Sequence, residues 1–405
     1  MVFYSRCLPL LFAVVLYGCG EGSKESNSGG EASGHGASVN TGYFKDGSVE
    51  GVQYRTATQS GITGKGGAFK YIEGESVSFR IGTLNLGEAR ADSVITPIEL
   101  TSSNDPSSAG NINLVRVLMS LDDDGDSENG LQISQDVLSY LTDSIDLTDI
   151  DINSMITDGS FETQLEQLDV DFEVVSAVDA KSHFDETVKC NLSGIYYGEY
   201  GGQGEGGFAV AIPPHNLTPT GGFVPLDGEY IGDWIELTGT ALELEGGAQS
   251  IILGVSDTVD QEYAGVRFAA IFNGSSVVGE WFQEGDIAAG DIEGDKFYSF
   301  QDKQRIKYVG TYKYKVDPSP IPVQITLTSD DFMEIDRLNP MFAEAHHSGS
   351  HFNGGDVSMD INDDPDFGEN NIRFQLSGRA GEVIDKTVTD KNGSEVELKL
   401  SSCRI

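Results

Sequence analysis

Short runs that alternate apolar and polar residues, separated by glycine-containing turns, occupy two large parts of this chain. In one such run Val77, Phe79 and Ile81 share a side, and Leu84 and Leu86 follow after a turn. A period of two is typical of strands that bury one face, and glycine permits the tight turns between them. The chain contains 50 glycines in 405 residues without a collagen-like period. The pattern therefore predicts many short antiparallel strands.

The N-terminus has the features of an export signal. Arg6 precedes an apolar run over residues 8–16, which is too short to span a bilayer comfortably and is typical of a signal-peptide core. The run leads into Leu-Tyr-Gly-Cys ending at Cys19, which resembles the lipobox of bacterial lipoproteins, although Tyr17 is bulkier than is usual there. The resemblance implies that Cys19 is lipidated, whereas ordinary cleavage would leave a free thiol. Gly20, in place of aspartate, implies an outer-membrane location on the periplasmic or cell-surface face.

Composition divides the chain into five segments. They are a signal peptide (1–18), a Gly/Ser-rich flexible tether (19–40), a β-sandwich (41–104), an acidic helical segment (105–189) and a glycine-rich β-domain (190–405). The last segment should form an antiparallel barrel or a curved sheet. The expected fold class is mainly β with a small α segment.

The charge balance limits the partners. The chain has 65 acidic and 25 basic residues, a net charge of −40. Such a field repels nucleic acids and anionic lipid surfaces, and the sequence contains no basic patch that would override it. A nucleic-acid partner is therefore not expected. The excess acid is explained either by a solubilising surface suited to salty surroundings or by a protein that works with divalent cations.

Part of the chain resembles a known family. The residues that carry the resemblance lie in six stretches, 42–54, 66–71, 74–82, 95–97, 113–130 and 180–188. They resemble the opening of a family of bacterial surface lipoproteins often described as adhesin-like, and the segment 41–104 is similar to carboxypeptidase-regulatory or collagen-adhesin B-type sandwiches. The resemblance covers residues 42–135 well and 176–210 loosely. It implies a stalk or binding platform rather than a catalyst.

An acidic loop follows a predicted helix that carries Leu114 and Leu118 on its apolar face. The candidate cation ligands in this loop are Asp122, Asp124, Asp126, Glu128 and Asn129. Clustered carboxylates repel one another and oppose the dipole at a helix C-terminus unless a cation lies between them, which favours calcium. The loop is not an EF-hand, because Ser127 and Ile133 stand where that motif has glycine and glutamate. A solvated acidic loop is the alternative.

Short helices are expected between residues 134 and 189. Ser134 can cap one helix, and Ser176 with Asp179 begins another, on which Ala180 and Phe184 share a face. His183 lies in this second helix. It is expected to be a packed or capping residue rather than a metal ligand.

Two cysteines, Cys190 and Cys403, remain in the body of the mature chain. In an exported protein, a single pair of cysteines favours a disulfide, and this bond would join the two ends of the glycine-rich domain. Two buried free thiols are the alternative.

Histidines and tryptophans supply the remaining candidate sites. His346, His347 and His351 lie within six residues, and because their spacing matches no known ligand motif they are expected to lie in a polar surface loop. A zinc or copper site is the alternative. Trp234 and Trp281 are expected to pack in a core, with a sugar-stacking face as the alternative.

The sequence contains no serine-hydrolase elbow, zinc-protease helix, phosphate loop or Cys-x-x-Cys pair. The favoured hypothesis is a lipid-anchored envelope protein that binds an extracellular protein or carbohydrate, is stiffened by calcium, and performs no catalysis. The alternatives are a metal-dependent enzyme that uses the histidine segment, and a purely structural envelope lipoprotein.

Overall fold

The computed structural model describes the chain between residues 38 and 405. The described ranges are 38–101, 103–143, 147, 151–166, 173–227, 233–242, 249–255, 265–283, 287–297, 304–315, 320–328, 330–339, 344–352, 355–361 and 371–405. Three large hydrophobic cores lie within one unit that spans residues 38–405. The expectation of a mainly β fold with a small α segment is confirmed. The signal segment and Cys19 lie outside the described residues.

Eight short strands build the N-terminal part. They are β1 (Val39–Phe44), β2 (Val49–Glu50), β3 (Gln53–Arg55), β4 (Ser60–Ile62), β5 (Ala68–Ile72), β6 (Ser76–Ile81), β7 (Leu84–Arg90) and β8 (Val94–Ile95). Strands β5, β1 and β8 form one sheet, in which β1 and β8 are parallel, and β4, β3, β6 and β7 form an antiparallel sheet. The residues predicted to face inward do so, since Val77, Phe79 and Ile81 are fully buried.

Helices follow these strands in the chain and contribute to two different cores. They are α1 (Pro97–Thr101), α2 (Ala109–Ser120), α3 (Gln135–Asp143), α4 (Ile152–Thr157), α5 (Ser160–Leu165) and α6 (Ala177–Leu192), and β9 (Leu131–Gln132) pairs with β2 between α2 and α3. The first amides of a helix have no partner within it, so a side-chain oxygen at the N-cap stabilises the start. Ser176 Oγ accepts from Asp179 N at 3.1 Å and begins α6 as predicted. Leu118 and Val137 belong to the same core as Phe79, so α2 and α3 share an interior with these sheets. Phe184 of α6 instead packs in the core of the barrel that follows.

The next eight strands close into a barrel. They are β10 (Gly194–Tyr200), β11 (Gly206–Ile212), β12 (Thr220–Pro225), β13 (Ile235–Gly239), β14 (Gln249–Val255), β15 (Arg267–Phe272), β16 (Ser276–Phe282) and β17 (Gly290–Lys296). Each strand pairs antiparallel with the next, and β17 pairs back to β10. Aromatic side chains fill the interior, among them Tyr196, Tyr200, Phe208, Phe268 and Trp281. Eight strands leave room for little more than side chains, so the interior is a packed core.

Glycines make the closure possible. Gly198 of β10 lies directly opposite Gly294 of β17. A Cβ atom at Gly198 would lie 2.0 Å from the carbonyl oxygen of Glu293, and one at Gly294 would lie 2.2 Å from that of Tyr197. Where β10 and β17 close the barrel, the two backbones therefore approach each other too closely for a side chain at Gly198 or Gly294.

The C-terminal strands form a six-stranded sheet, which we call the second sheet, and a separate hairpin. They are β18 (Gln304–Tyr314), β19 (Ile321–Thr328), β20 (Phe332–Asn339), β21 (Glu344–His351), β22 (Asp356–Asp360), β23 (Asn371–Gln375), β24 (Val383–Thr389) and β25 (Glu395–Arg404). Six of them lie in the order β21-β20-β19-β18-β25-β24, and the β22–β23 hairpin contributes Met359 and Phe374 to the same core as Tyr308 and Ile325. The glycine-rich segment thus contains both a barrel and a separate sheet.

The surface between the barrel and this second sheet contains both apolar and charged side chains. Leu338 of β20 contacts Ile195 and Ala209 on the outside of the barrel. Burial raises the pKa of Glu236 on β13, and the positive charges of Lys313 and Lys399 oppose that rise. Among the helices in the described part of the chain, none has the length and apolar character needed to cross a membrane.

Candidate functional site

The acidic loop lies directly after α2, as predicted, and its first residue turns inward. Asp122 is 3 % exposed, and its Oδ1 accepts a hydrogen bond from Gln132 N at 2.8 Å. Its Oδ2 is buried without a hydrogen-bond partner among the described residues. Burial raises the pKa of Asp122; the hydrogen bond from Gln132 opposes the rise, and the negative charge of Asp124 adds to it.

The exposed part of the loop is closed by its own hydrogen bonds. Asp124 accepts from Asp126 N at 2.9 Å and from Asn129 Nδ2 at 2.8 Å, and Asn129 Oδ1 accepts from Gln132 Nε2 at 3.1 Å. The bonds from Asn129 and Asp126 hold the pKa of Asp124 below its usual value. Within the described residues no group of three or more His, Cys, Asp or Glu side chains is placed to hold a metal. The side chain of Glu128 lies outside that description.

The histidine segment is a strand rather than the loop expected from sequence. In β21 the register pairs His347 with Asp336, His346 with Arg337 and His351 with Phe332. His351 is exposed, and its ring meets that of Phe332 edge-on at 5.9 Å between centroids. The side chains of His346 and His347 lie outside the described residues.

The two tryptophans belong to different surroundings. Trp281 is 6 % exposed inside the barrel, where its Nε1 donates to Gly201 O at 2.9 Å. Trp234 is half-buried and lies against Gly222, where a Cβ atom would be 2.6 Å from the indole ring. The Trp281 ring is therefore part of the barrel core rather than of an accessible surface.

A buried ion pair joins the loop after β1 to α6. His183 Nε2 lies 3.2 Å from Asp46 Oδ1. One turn further along α6, Thr187 Oγ1 donates to Asp46 Oδ1 at 3.4 Å and accepts from Gly47 N at 2.9 Å. Asp46 is fully buried, and its Oδ2 has no hydrogen-bond partner among the described residues. The imidazole is therefore the main charge that stabilises this carboxylate.

The ion pair sets the charge of His183. Burial alone would lower the pKa of His183, but the charge and hydrogen bonds of Asp46 raise it to about 9, and Glu186 acts in the same direction. The imidazole is therefore positively charged at neutral pH, and both of its ring nitrogens are donors. The expectation that His183 is a packed residue did not include this partner.

The predicted disulfide is present. Cys190 near the end of α6 is bonded to Cys403 in β25, across 213 residues of chain. The bond ties the helix that precedes the barrel to the last strand of the second sheet.

Two buried lysines cap the C-terminus of α6 beside this disulfide. Lys307 Nζ donates to Cys190 O at 2.6 Å and to Ser193 O at 2.9 Å, and Lys296 Nζ donates to Asn191 O. Burial lowers the pKa of Lys307 to about 7, and it lowers that of Lys296 well below its usual value. Both amino groups donate to carbonyls that a helix leaves without partners.

A cleft of about 350 Å³ opens where these elements meet. Its walls come from the loop after β1, the acidic loop, α6, the β11–β12 connection and β25. The lining includes His183, Glu186, Lys189, His215, Ser401 and Arg404. Elements that are distant in sequence therefore share one cleft, which we call the junction cleft.

A second and larger groove, of about 760 Å³, lies on the outside of the barrel. Tyr197, Leu226 and Val278 line it and are 39 %, 61 % and 49 % exposed. The carboxylates of Glu199 and Glu293, directly opposite each other across β10 and β17, also line it. We call this surface the barrel groove; it combines apolar side chains with acidic hydrogen-bond acceptors.

The comparisons with known proteins supply no relative. No protein-family model, no curated protein and no solved structure matches the chain.

Proposed function

We propose that the protein is a lipid-anchored protein of the bacterial outer membrane that binds an extracellular protein or carbohydrate without catalysis. Export is supported by the apolar N-terminal run before Cys19 and by the disulfide, since disulfides persist in oxidising compartments. Several acyl chains on Cys19 would give durable anchoring, because each buried methylene contributes about 0.8 kcal/mol.

The observation that carries the binding role is the barrel groove. The barrel interior is occupied by its own aromatic side chains, so a ligand would bind on the outer surface. Tyr197 and Val278 present apolar area there, and neighbouring carboxylates can accept hydrogen bonds from sugar hydroxyls or pair with cationic side chains. Exposed apolar surface rimmed by polar groups is typical of an interaction site.

A calcium ion in the acidic loop would stiffen the region that precedes the barrel. Support comes from the partnerless Oδ2 of Asp122 and from the carboxylates of Asp124 and Asp126 nearby in sequence. We expect calcium, but not magnesium at equal concentration, to raise the unfolding temperature of the full-length protein after EDTA treatment. The Asp122→Asn variant should lose this gain; a gain that survives in Asp122→Asn would place calcium elsewhere.

The anchor is tested by growing cells that express the chain with labelled palmitate. The wild type should incorporate label and partition into detergent, and Cys19→Ala should do neither. Labelling of Cys19→Ala equal to that of the wild type would refute lipidation at this residue.

The binding role is tested with the full-length protein in detergent on a panel of immobilised glycans and extracellular matrix proteins. We expect retention on at least one member, and a tenfold or greater loss in a Tyr197→Ser/Val278→Ser variant. Val178→Ser is the matched control, because Val178 is 77 % exposed on α6 and does not line the barrel groove. Retention that is unchanged in the groove variant would refute the proposed surface.

The metal-dependent enzyme is a second candidate that one observation favours. The β20–β21 register pairs His347 with Asp336, and Glu334 and Asp336 are both buried. Histidine and carboxylate are ligands that zinc accepts. A zinc-induced rise in unfolding temperature that His347→Ala abolishes would support this candidate, and an equal rise in both proteins would oppose it.

A further inference from the structure

The junction cleft collects positive charge in a strongly acidic protein. Of its ionisable lining residues, His183, Lys189 and Arg404 are basic, Glu186 is acidic, and His215 is an exposed histidine. Asp46 lies behind His183 and is already engaged by Nε2 and Thr187. The chain as a whole has 65 acidic and 25 basic residues, so this local balance is the reverse of the average.

Two of the cationic groups keep donors for a ligand. In the charged ring of His183, Nε2 faces Asp46, and Nδ1 makes no hydrogen bond to any described residue. Lys189 is half-exposed, and its ammonium forms no ion pair within the described part of the chain. By contrast Lys181, on the same helix, is bound to Asp185 at 2.7 Å.

We propose that the junction cleft binds a small oxyanion, a carboxylate or phosphate group on a compact polar molecule, through His183 and Lys189. Hydrogen bonds between charged groups are roughly twice as strong as neutral ones, so two such donors give a preference for an anion over a neutral ligand. The net charge of the protein does not prevent this, because exposed charges more than about 8 Å away are largely screened at physiological ionic strength.

The size and lining of the cleft define the ligand class further. A volume of about 350 Å³ is near the lower end of the range for ligand pockets, so the molecule must be small. Ser127 and Ser401 add hydroxyl groups to the walls, and Ser401 Oγ already accepts from His215 N at 3.1 Å. A hydroxylated or phosphorylated metabolite therefore fits better than an apolar acid.

Binding would also strengthen the junction. A ligand held by Lys189 of α6 and by the Ser401–Arg404 end of β25 connects the same two elements as the disulfide. A ligand that binds only the folded state raises the free energy of unfolding by RT ln(1 + [L]/Kd), so the unfolding temperature rises with the ligand concentration. This inference does not rest on the lipid anchor or on the barrel groove, and either could fail without affecting it.

The test titrates the full-length protein in neutral detergent with inorganic phosphate and, separately, with citrate, at constant ionic strength adjusted with sodium chloride. Calorimetry should show saturable binding of one anion per chain, and the unfolding temperature should rise with it. In spectra of protein labelled with nitrogen-15 at histidine, the His183 side-chain signal should move along the same binding curve.

Two matched variants test whether the anion binds in the junction cleft. Lys189→Gln should weaken binding about tenfold or more, whereas Lys181→Gln, which removes the same charge from a residue outside the cleft, should change it less than twofold. Equal weakening by both variants would show general charge attraction and overturn the proposal. Absence of saturable binding of either anion, or binding that leaves the His183 signal unmoved, would overturn it as well.

Discussion

Replacing His183 by glutamine should remove a component of stability that depends on pH. The pKa of His183 is raised from 6.5 to about 9 by Asp46, against the opposing effect of burial. At about 1.4 kcal/mol per pKa unit, this shift corresponds to about 3 kcal/mol of stabilisation. Because the folded-state pKa is the higher one, the contribution is fully present below pH 6.5 and is lost as the pH rises through 9.

The measurement is the free energy of unfolding in urea at pH 6 and at pH 9.5, for wild type and His183→Gln. The difference between the two proteins should be largest at pH 6 and should shrink by about 3 kcal/mol at pH 9.5. His215→Gln is the control, because His215 lines the same cleft but is exposed and has no ion pair among the described residues. A His183→Gln difference that is equal at both pH values would refute the argument from the Asp46 pair.

Three further predictions concern the junction and the barrel. The pKa of Lys307 is lowered by burial to about 7, so the contribution of Lys307 to stability should rise from pH 7 towards pH 10 and offset part of the loss from His183. Lys307→Met should lack this rise and should lose roughly 1–3 kcal/mol at the unpaired carbonyls of Cys190 and Ser193. Urea unfolding of both proteins at pH 7 and pH 10 measures the effect, and a difference between wild type and Lys307→Met that is equal at both pH values would contradict it. In chemical unfolding, a reducing agent should destabilise the wild type by up to roughly 5 kcal/mol and should leave a Cys190→Ser/Cys403→Ser variant unaffected. An equal response of the two proteins to the reducing agent would contradict the structural role of the bond. Gly294→Val should prevent barrel closure and yield insoluble protein, whereas Gly254→Val should stay soluble, because a Cβ atom at Gly254 would meet nothing within 4 Å. The soluble fraction of each variant after expression measures this, and equal fractions would contradict it.

Strand faces and helix starts were predictable from the sequence because they depend on interactions between residues close together in the chain. The alternation of Val77, Phe79 and Ile81 shows which face of a strand is buried, whatever the strand pairs with. The N-cap at Ser176 follows from unpaired amides within a single turn of helix. The disulfide followed from export and from the presence of two cysteines, Cys190 and Cys403, in the body of the mature chain.

Features that join distant residues were not predictable in the same way. Asp46 and His183 are 137 residues apart, and the sequence around Asp46 indicates only a turn. Lys307 occupies an ordinary position in an alternating strand, so nothing local indicates that it caps a helix. The separation of the glycine-rich segment into a barrel and a second sheet depends on β17 pairing with β10, a contact across about a hundred residues.

The histidine segment shows a different limit. Glu344–His351 is polar and contains Ser-Gly-Ser, which is the composition of a loop. It forms a strand because β20 offers a full ladder of backbone partners, from Phe332 to Asn339. Tertiary pairing overrides local propensity at such an edge.

The most direct test of the proposed binding role is hydrogen–deuterium exchange of the full-length protein with and without the ligand identified on the panel. We expect slower amide exchange in β10, β16 and β17 around Tyr197 and Val278, with no change in the β22–β23 hairpin. Protection confined to that hairpin, or to the N-terminal sheets, would contradict the assignment of binding to the outer face of the barrel.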